Sequence, residues 1–141
     1  MQEEANRIIW EQLKVGNYEY SQGPYRGRYF LVEKKEKGSW RLVNDIHPLN
    51  AVTIRDLGMP PAVDEFSEDF AGYPITSSID YFSGYYQIGL AEQYRDLMAF
   101  LTLFRLLQLT RLPQGWTNSV AVFQQVVAKA TDAYFCSDFH L

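Results

Sequence analysis

The sequence predicts an α+β fold, and three observations carry that prediction. Residues 3–14 and 117–133 place their apolar side chains at helical spacing. RYFLVEKK, SWRLVN and the run from Leu97 to Leu112 are instead rich in the β-branched and aromatic residues that strands favour. The two kinds of element do not alternate as the βαβ units of a parallel sheet would. With 141 residues, 47% hydrophobic and 16% aromatic, the chain has enough apolar surface for one core and lacks the composition of a disordered segment.

Taken in order, Ile8, Ile9, Trp10 and Leu13 lie among charges and stop before Gly16, which predicts a helix over 3–14 with a glycine at its end. SQGPYRG is loop-like. RYFLVEKK and SWRLVN flank Glu36-Lys37-Gly38 and form a hairpin with basic residues near its tip. The two prolines of MPPAVDEFSEDFAG open a short helix with acidic first turns, and Gly72 is its C′ residue. Strands are expected over 74–80 and 85–90, on either side of a bend at Ser83-Gly84. AEQYRDL makes a helical turn, and Leu97 to Leu112 folds back on itself. From Thr117 a polar cap leads into a helix with Val120, Phe123, Val127 and Ala130 on one side. No repeat or low-complexity segment is present.

Charge and cysteine usage narrow the function classes. Glu3, Glu4, Arg7, Glu11 and Lys14 break up any apolar leader, and no later run is long enough to span a bilayer. The expectation is a soluble, intracellular chain with no membrane partner, in cytoplasm or nucleus alike. Cys136 is the only cysteine, so these residues form neither an internal disulfide nor a multi-cysteine metal site. The net charge of -4 is unevenly spread: Arg26 to Asp56 holds seven basic residues against four acidic ones, and the remainder is at -7. Such a cationic stripe can suit phosphate or a nucleic-acid backbone, but charge alone favours the reading of a solvated hairpin.

In SSIDYFSGYYQI a single carboxylate, Asp80, ends an apolar run and is followed by a Ser-Gly turn and two tyrosines. A carboxylate held rigidly beside outward-facing backbone N–H groups suits a divalent metal next to a triphosphate, because magnesium prefers carboxylate and phosphate oxygens. The same residue type also caps strand ends or pairs with a surface arginine.

The ordered set RYFLVEKKEKGSWRLVNDIHPLNAVTIRD, PPAVDEFSEDFAGYPITSSIDYFSGYYQI, RDLMAFLT and LTRLPQGWTNSVAVFQ resembles a reverse transcriptase of Ty3/gypsy-type long-terminal-repeat retrotransposons, most similar to fungal elements. The likeness covers roughly Tyr25 to Gln125, and an ordered set is far more specific than any one motif. It implies a right-hand polymerase fold, here the fingers and the N-terminal part of the palm. By resemblance, 1–24 is an N-terminal helix and linker, 25–72 a fingers-like hairpin and connecting helix, 73–129 palm-like, and 130–141 a divergent tail. The implied reaction adds deoxynucleotides to a primer 3′-hydroxyl on an RNA or DNA template, with Mg2+ as cofactor and deoxynucleoside triphosphates as substrates.

The resemblance also implies roles. Lys34 and Arg41 would hold the triphosphate, a task suited to ammonium and guanidinium groups. Asp80 would be the first catalytic aspartate, and the Tyr81 carbonyl a further metal ligand. Ser83 and Gly84 would offer backbone N–H groups to phosphate. Tyr85 would exclude a 2′-hydroxyl by bulk, with its ring beside Asp80, and Gln114 would contact the nucleotide. The family completes its metal site with an aromatic-x-Asp-Asp hairpin beyond Phe123-Gln124. The tail Phe135-Cys136-Ser137-Asp138 mimics it at too short a spacing, and past Lys129 the pattern fades. A polymerase fragment inactive by itself is therefore expected, with self-association through uncovered palm surface. The alternatives are a non-catalytic nucleic-acid-binding or interaction remnant, and one part of a split polymerase completed by a second chain. A second departure is Arg105, placed where relatives commonly turn on glycine; a turn needing positive φ would be strained there.

Overall fold

The computed structural model describes residues 2–56, 58, 67–68, 71–75, 77–78 and 80–132. In chain order its elements are α1 (Gln2–Lys14), β1 (Tyr18–Tyr20), β2 (Arg28–Glu33), β3 (Trp40–Asp45), α2 (His47–Asn50), α3 (Gly84–Gln87), α4 (Glu92–Arg95) with a 3-10 turn over Asp96–Met98, β4 (Ala99–Leu101), β5 (Leu106–Leu109) and α5 (Ser119–Asp132). Helices and strands are thus mixed without βαβ alternation, as the pattern predicts.

Helix α1 buries Ala5 and Ile9 and turns its charges outward, where Arg7 pairs with Glu4 and Glu11. Gly16, at φ +77°, ends it as expected. The chain then enters β1, which pairs with β5 in an antiparallel sheet of order β1-β5-β4, Tyr18 opposite Leu109 and Phe100 opposite Leu107. Strands β2 and β3 form a separate hairpin with Leu31 opposite Leu42. Its tip is closed by a hydrogen bond from the Lys34 N–H to the Ser39 carbonyl at 2.7 Å, and Gly38 takes φ +82°.

The core lies where α1, the sheet and the hairpin meet: Ile9, Tyr18, Leu42, Ile46, Met98, Phe100, Leu107 and Leu109. Phe100 is its centre, with the rings of Tyr18 and Tyr29 edge-on to it at 5.1 and 6.0 Å. Hairpin and sheet are joined through Gly27, whose N–H donates to the Ala99 carbonyl (2.8 Å) and whose carbonyl accepts from Leu101 (3.1 Å). A Cβ at that position would lie 2.7 Å from the Ala99 oxygen, so only glycine lets the two backbones meet.

Three expectations change. Residues 84–87 wind into α3 and do not continue as a strand; only 88–90 pair, with Leu90 donating to Thr110 and Leu112 to Ile88. The adjacent Tyr85 and Tyr86 are both half-buried. A strand would send them to opposite faces, whereas a helical turn lets each meet a different neighbour. Among the described residues of 71–82 none is in a strand, and Ile75 and Phe82 are 84% and 86% exposed. The turn at Arg105 is rebuilt without strain: Thr102 Oγ1 donates to the Arg105 carbonyl (2.6 Å) and accepts from the Arg105 N–H (3.0 Å). Arg105 keeps negative φ, and its guanidinium lies 5.6 Å from the centre of the Tyr20 ring.

Gly72 has φ +91°, as a C′ glycine does. The body of the short helix expected before it lies mostly outside the described residues, as do Cys136 and Asp138. No helix among the described residues is long and apolar enough to cross a membrane.

Candidate functional site

A cleft of about 620 Å³ opens between the β2–β3 hairpin and the body formed by α1, β5 and the loop before α5. Lys34, Arg41, Ser83 and Gln114, four of the residues singled out in the sequence, line it together. Each arrives by a local rule. Lys34 faces Ser39 and Arg41 faces Val32 across the hairpin, so both cations share one face while Leu31 and Leu42 turn the other toward the core. Ser83 precedes α3 and, at φ +48°, is the one non-glycine residue at positive φ among the described residues. That conformation is uncommon for serine and persists only where the surroundings enforce it.

Gln114 sits on a loop fastened by side chains. Asn50 donates to the Gly115 carbonyl and accepts from the Thr117 N–H, both at 2.9 Å. Asn118 accepts from the Asp56 N–H (3.0 Å) and donates to the Ile54 carbonyl (2.9 Å), and the buried Ser119 hydroxyl donates to the Pro113 carbonyl (2.6 Å). Residues 113–119 are thereby stitched to 50–56. Sequence reasoning missed Asn50 and Asn118; the signal was there in two asparagines flanking predicted loops, the residue type that most readily bonds backbone groups.

Three further site residues, Tyr81, Gly84 and Tyr85, gather around Phe123 of α5. The Tyr85 ring stacks on Phe123 at 5.0 Å, and the Tyr81 ring meets it edge-on at 5.8 Å. A Cβ on Gly84 would come within 2.7 Å of Phe123 Cε2 and 3.2 Å of Tyr81 Cβ, so glycine is needed there to seat that ring. Tyr86, not Tyr85, lines the cleft. Asp80 is exposed and does not line it. Among the described residues no three His, Cys, Asp or Glu side chains converge, so Asp80 and the Tyr81 carbonyl do not amount to the oxygen set that magnesium prefers.

Tyr18 and Tyr86 both line the cleft, and burial pushes both phenols above the ordinary tyrosine range. The folded chain therefore keeps protons that the unfolded chain sheds as pH climbs past about 10. Stability from this pair is present below that pH and falls above it. Thermal midpoints measured at pH 8 and pH 11 should show the decline, and it should be shallower in a Tyr18→Phe, Tyr86→Phe double variant; an equally steep decline would contradict it.

The family model for reverse transcriptase (RNA-dependent DNA polymerase) matches residues 32–134, a span that contains Lys34, Arg41, Asp80, Tyr81, Ser83, Gly84, Tyr85 and Gln114. The chain belongs to the reverse transcriptase family. It is 32% identical over 131 residues to the retrovirus-related Pol polyprotein from transposon opus of Drosophila melanogaster, covering 90% of this chain and 13% of that protein. The Pol polyprotein from transposon gypsy of the same organism is 30% identical over 87% of this chain and 12% of its own length. For the Gag-Pro-Pol polyprotein of human T-cell leukemia virus 2 the figures are 30%, 87% and 9%. The chain thus spans a small part of these polyproteins and corresponds to a portion of an RNA-directed DNA polymerase. In fold it matches the foamy viral protease-reverse transcriptase solved in complex with double-stranded DNA, with a TM-score of 0.72 at 20% identity, over 99% of this chain and 24% of that one.

Proposed function

We propose that this reverse transcriptase portion is the fingers and first part of the palm of a Ty3/gypsy-type right-hand polymerase, and that its cleft receives the triphosphate of an incoming deoxynucleotide on an RNA or DNA template-primer. One observation carries the reading: Lys34, Arg41, Ser83 and Gln114 come from separate chain segments and line a single cleft. Two cations and a polar amide around a concave space form an anion site, since charge-assisted hydrogen bonds are the strong ones. Lys34 and Arg41 would take the outer phosphates, the backbone after Ser83 another phosphate oxygen, and Gln114 the nucleotide. Tyr85, flat against Phe123, is proposed as the bulk that excludes a 2′-hydroxyl. Asp80 with the Tyr81 carbonyl is the proposed magnesium contact, and one carboxylate binds that hydrated ion feebly.

Titration with a deoxynucleoside triphosphate and with a primer-template duplex, at 50 and 200 mM salt, tests this. Trp40 lines the cleft and its fluorescence supplies a signal. Binding should saturate and weaken steeply with salt, by roughly tenfold or more for the duplex. No binding, or binding indifferent to salt, would overturn the reading.

A further inference from the structure

Gln114 is exposed on the cleft, and its side chain has no hydrogen-bond partner among the described residues. Its place is therefore set by the main chain on either side of it. On one side the buried Pro113 presents its carbonyl to the Ser119 hydroxyl, a bond local to the loop. On the other side comes Gly115, and glycine leaves a backbone its widest choice of conformation. That side is held from a distance. The side-chain amide of Asn50, 65 residues earlier, donates to the Gly115 carbonyl, and its oxygen accepts from the Thr117 N–H, both at 2.9 Å.

The path from Asn50 to the cationic hairpin is short. Arg41 lies on β3, the chain leaves β3 through the buried Ile46, and Asn50 ends α2 with its N–H donating to the Ile46 carbonyl at 2.9 Å. One end of this strut carries Arg41 into the cleft, and the other grips the backbone beside Gln114. Asn50 itself does not line the cleft. Both polar atoms of its amide are engaged, one as donor and one as acceptor, and an aspartate of the same shape lacks the donor. We infer that Asn50 is a positioning residue for Gln114: it fixes the loop after Gln114 against the segment that carries Arg41, and so sets the two side chains at a constant separation across the cleft. This inference rests on the triphosphate reading of the cleft.

Asn50→Ala removes both bonds, while Asn50→Asp keeps the acceptor for Thr117 and loses the donor to Gly115. The bonds from Trp116 to Thr53 and from Asn118 to Ile54 and Asp56 remain, so the loop stays attached in either variant. In the ligand-free chain, amide hydrogen exchange at Thr117 should accelerate about tenfold in Asn50→Ala and much less in Asn50→Asp. Val122, whose N–H donates to the Asn118 carbonyl, should exchange as before in both. Affinity of Asn50→Ala for deoxythymidine triphosphate should fall about fivefold, the scale of one neutral hydrogen bond. In a Gln114→Ala background the same substitution should cost nothing further, because it acts through that side chain. Equal losses in both backgrounds, as a merely structural role would give, or unchanged exchange at Thr117 would overturn the positioning role. A chain that binds no triphosphate at all overturns the reading of the cleft, and this role with it. Binding that weakens in Gln114→Ala but not in Asn50→Ala overturns the positioning role alone.

Discussion

Replacing Phe100 with alanine is expected to destabilise the chain by about 3–5 kcal/mol, the range for emptying a buried aromatic site. The ring is 1% exposed and lies between Tyr18 and Tyr29, so it touches both the three-stranded sheet and the hairpin. The neighbours that would have to close the cavity, Leu107 and Tyr18, are themselves held in strand register, which limits collapse. A small domain is stable by only about 5–15 kcal/mol, so the substitution removes a large part of the margin. Chemical denaturation checks it: the midpoint should drop sharply in Phe100→Ala and hardly move in Phe82→Ala, whose ring is 86% exposed. A loss below about 1 kcal/mol would show that the core is centred elsewhere.

The second large effect is on binding and leaves the fold alone. Lys34→Ala combined with Arg41→Ala should lower affinity for a deoxynucleoside triphosphate about 100-fold, taking about 1.5 kcal/mol for each charge-assisted contact. Both side chains are exposed on the face of the hairpin turned away from Leu31 and Leu42. Their removal opens no cavity, and exposed charges rarely contribute more than about 1 kcal/mol to stability. The thermal midpoint should therefore stay within about a degree or two of the unmodified chain. Calorimetric titration beside a thermal melt separates the two readouts. Unchanged affinity would mean that the cationic hairpin is only a solvated tip, while a collapsed melting transition would mean that it is part of the core.

What was legible in the sequence follows from how local each signal is. Helices α1 and α5 repeat apolar residues at helical spacing and end at polar or glycine signals, so both emerge within a residue or two of expectation. The β2–β3 hairpin and the β4–β5 fold-back are pairs of nearby strands, each closed by a short turn. Strand β1 was not visible, because three residues make too short a stretch for a period, and what makes Tyr18–Tyr20 a strand is the edge of β5 about ninety residues on. The expected strand at 85–90 failed for a related reason. A glycine bend followed by two aromatics reads the same for a strand or a turn, and the tertiary partner Phe123 decides for the turn.

The same division runs through the site. The sequence by itself determined the family and the candidate residues: a cationic hairpin with Lys34 and Arg41, an aspartate ahead of a Ser-Gly turn, and a glutamine in a proline-glycine loop, in an order that belongs to one family. Residue types and their order are properties of the chain, and they survive in one dimension. Only the tertiary structure decided which of these residues share a cleft, that Tyr86 and not Tyr85 lines it, and that Gly84 is required by the ring of Phe123. Those outcomes depend on close packing and on hydrogen bonds between segments far apart in sequence, such as Asn50 to Gly115 and Asn118 to Ile54. A side chain selects its partner there by distance and shape in three dimensions, which no spacing along the chain encodes.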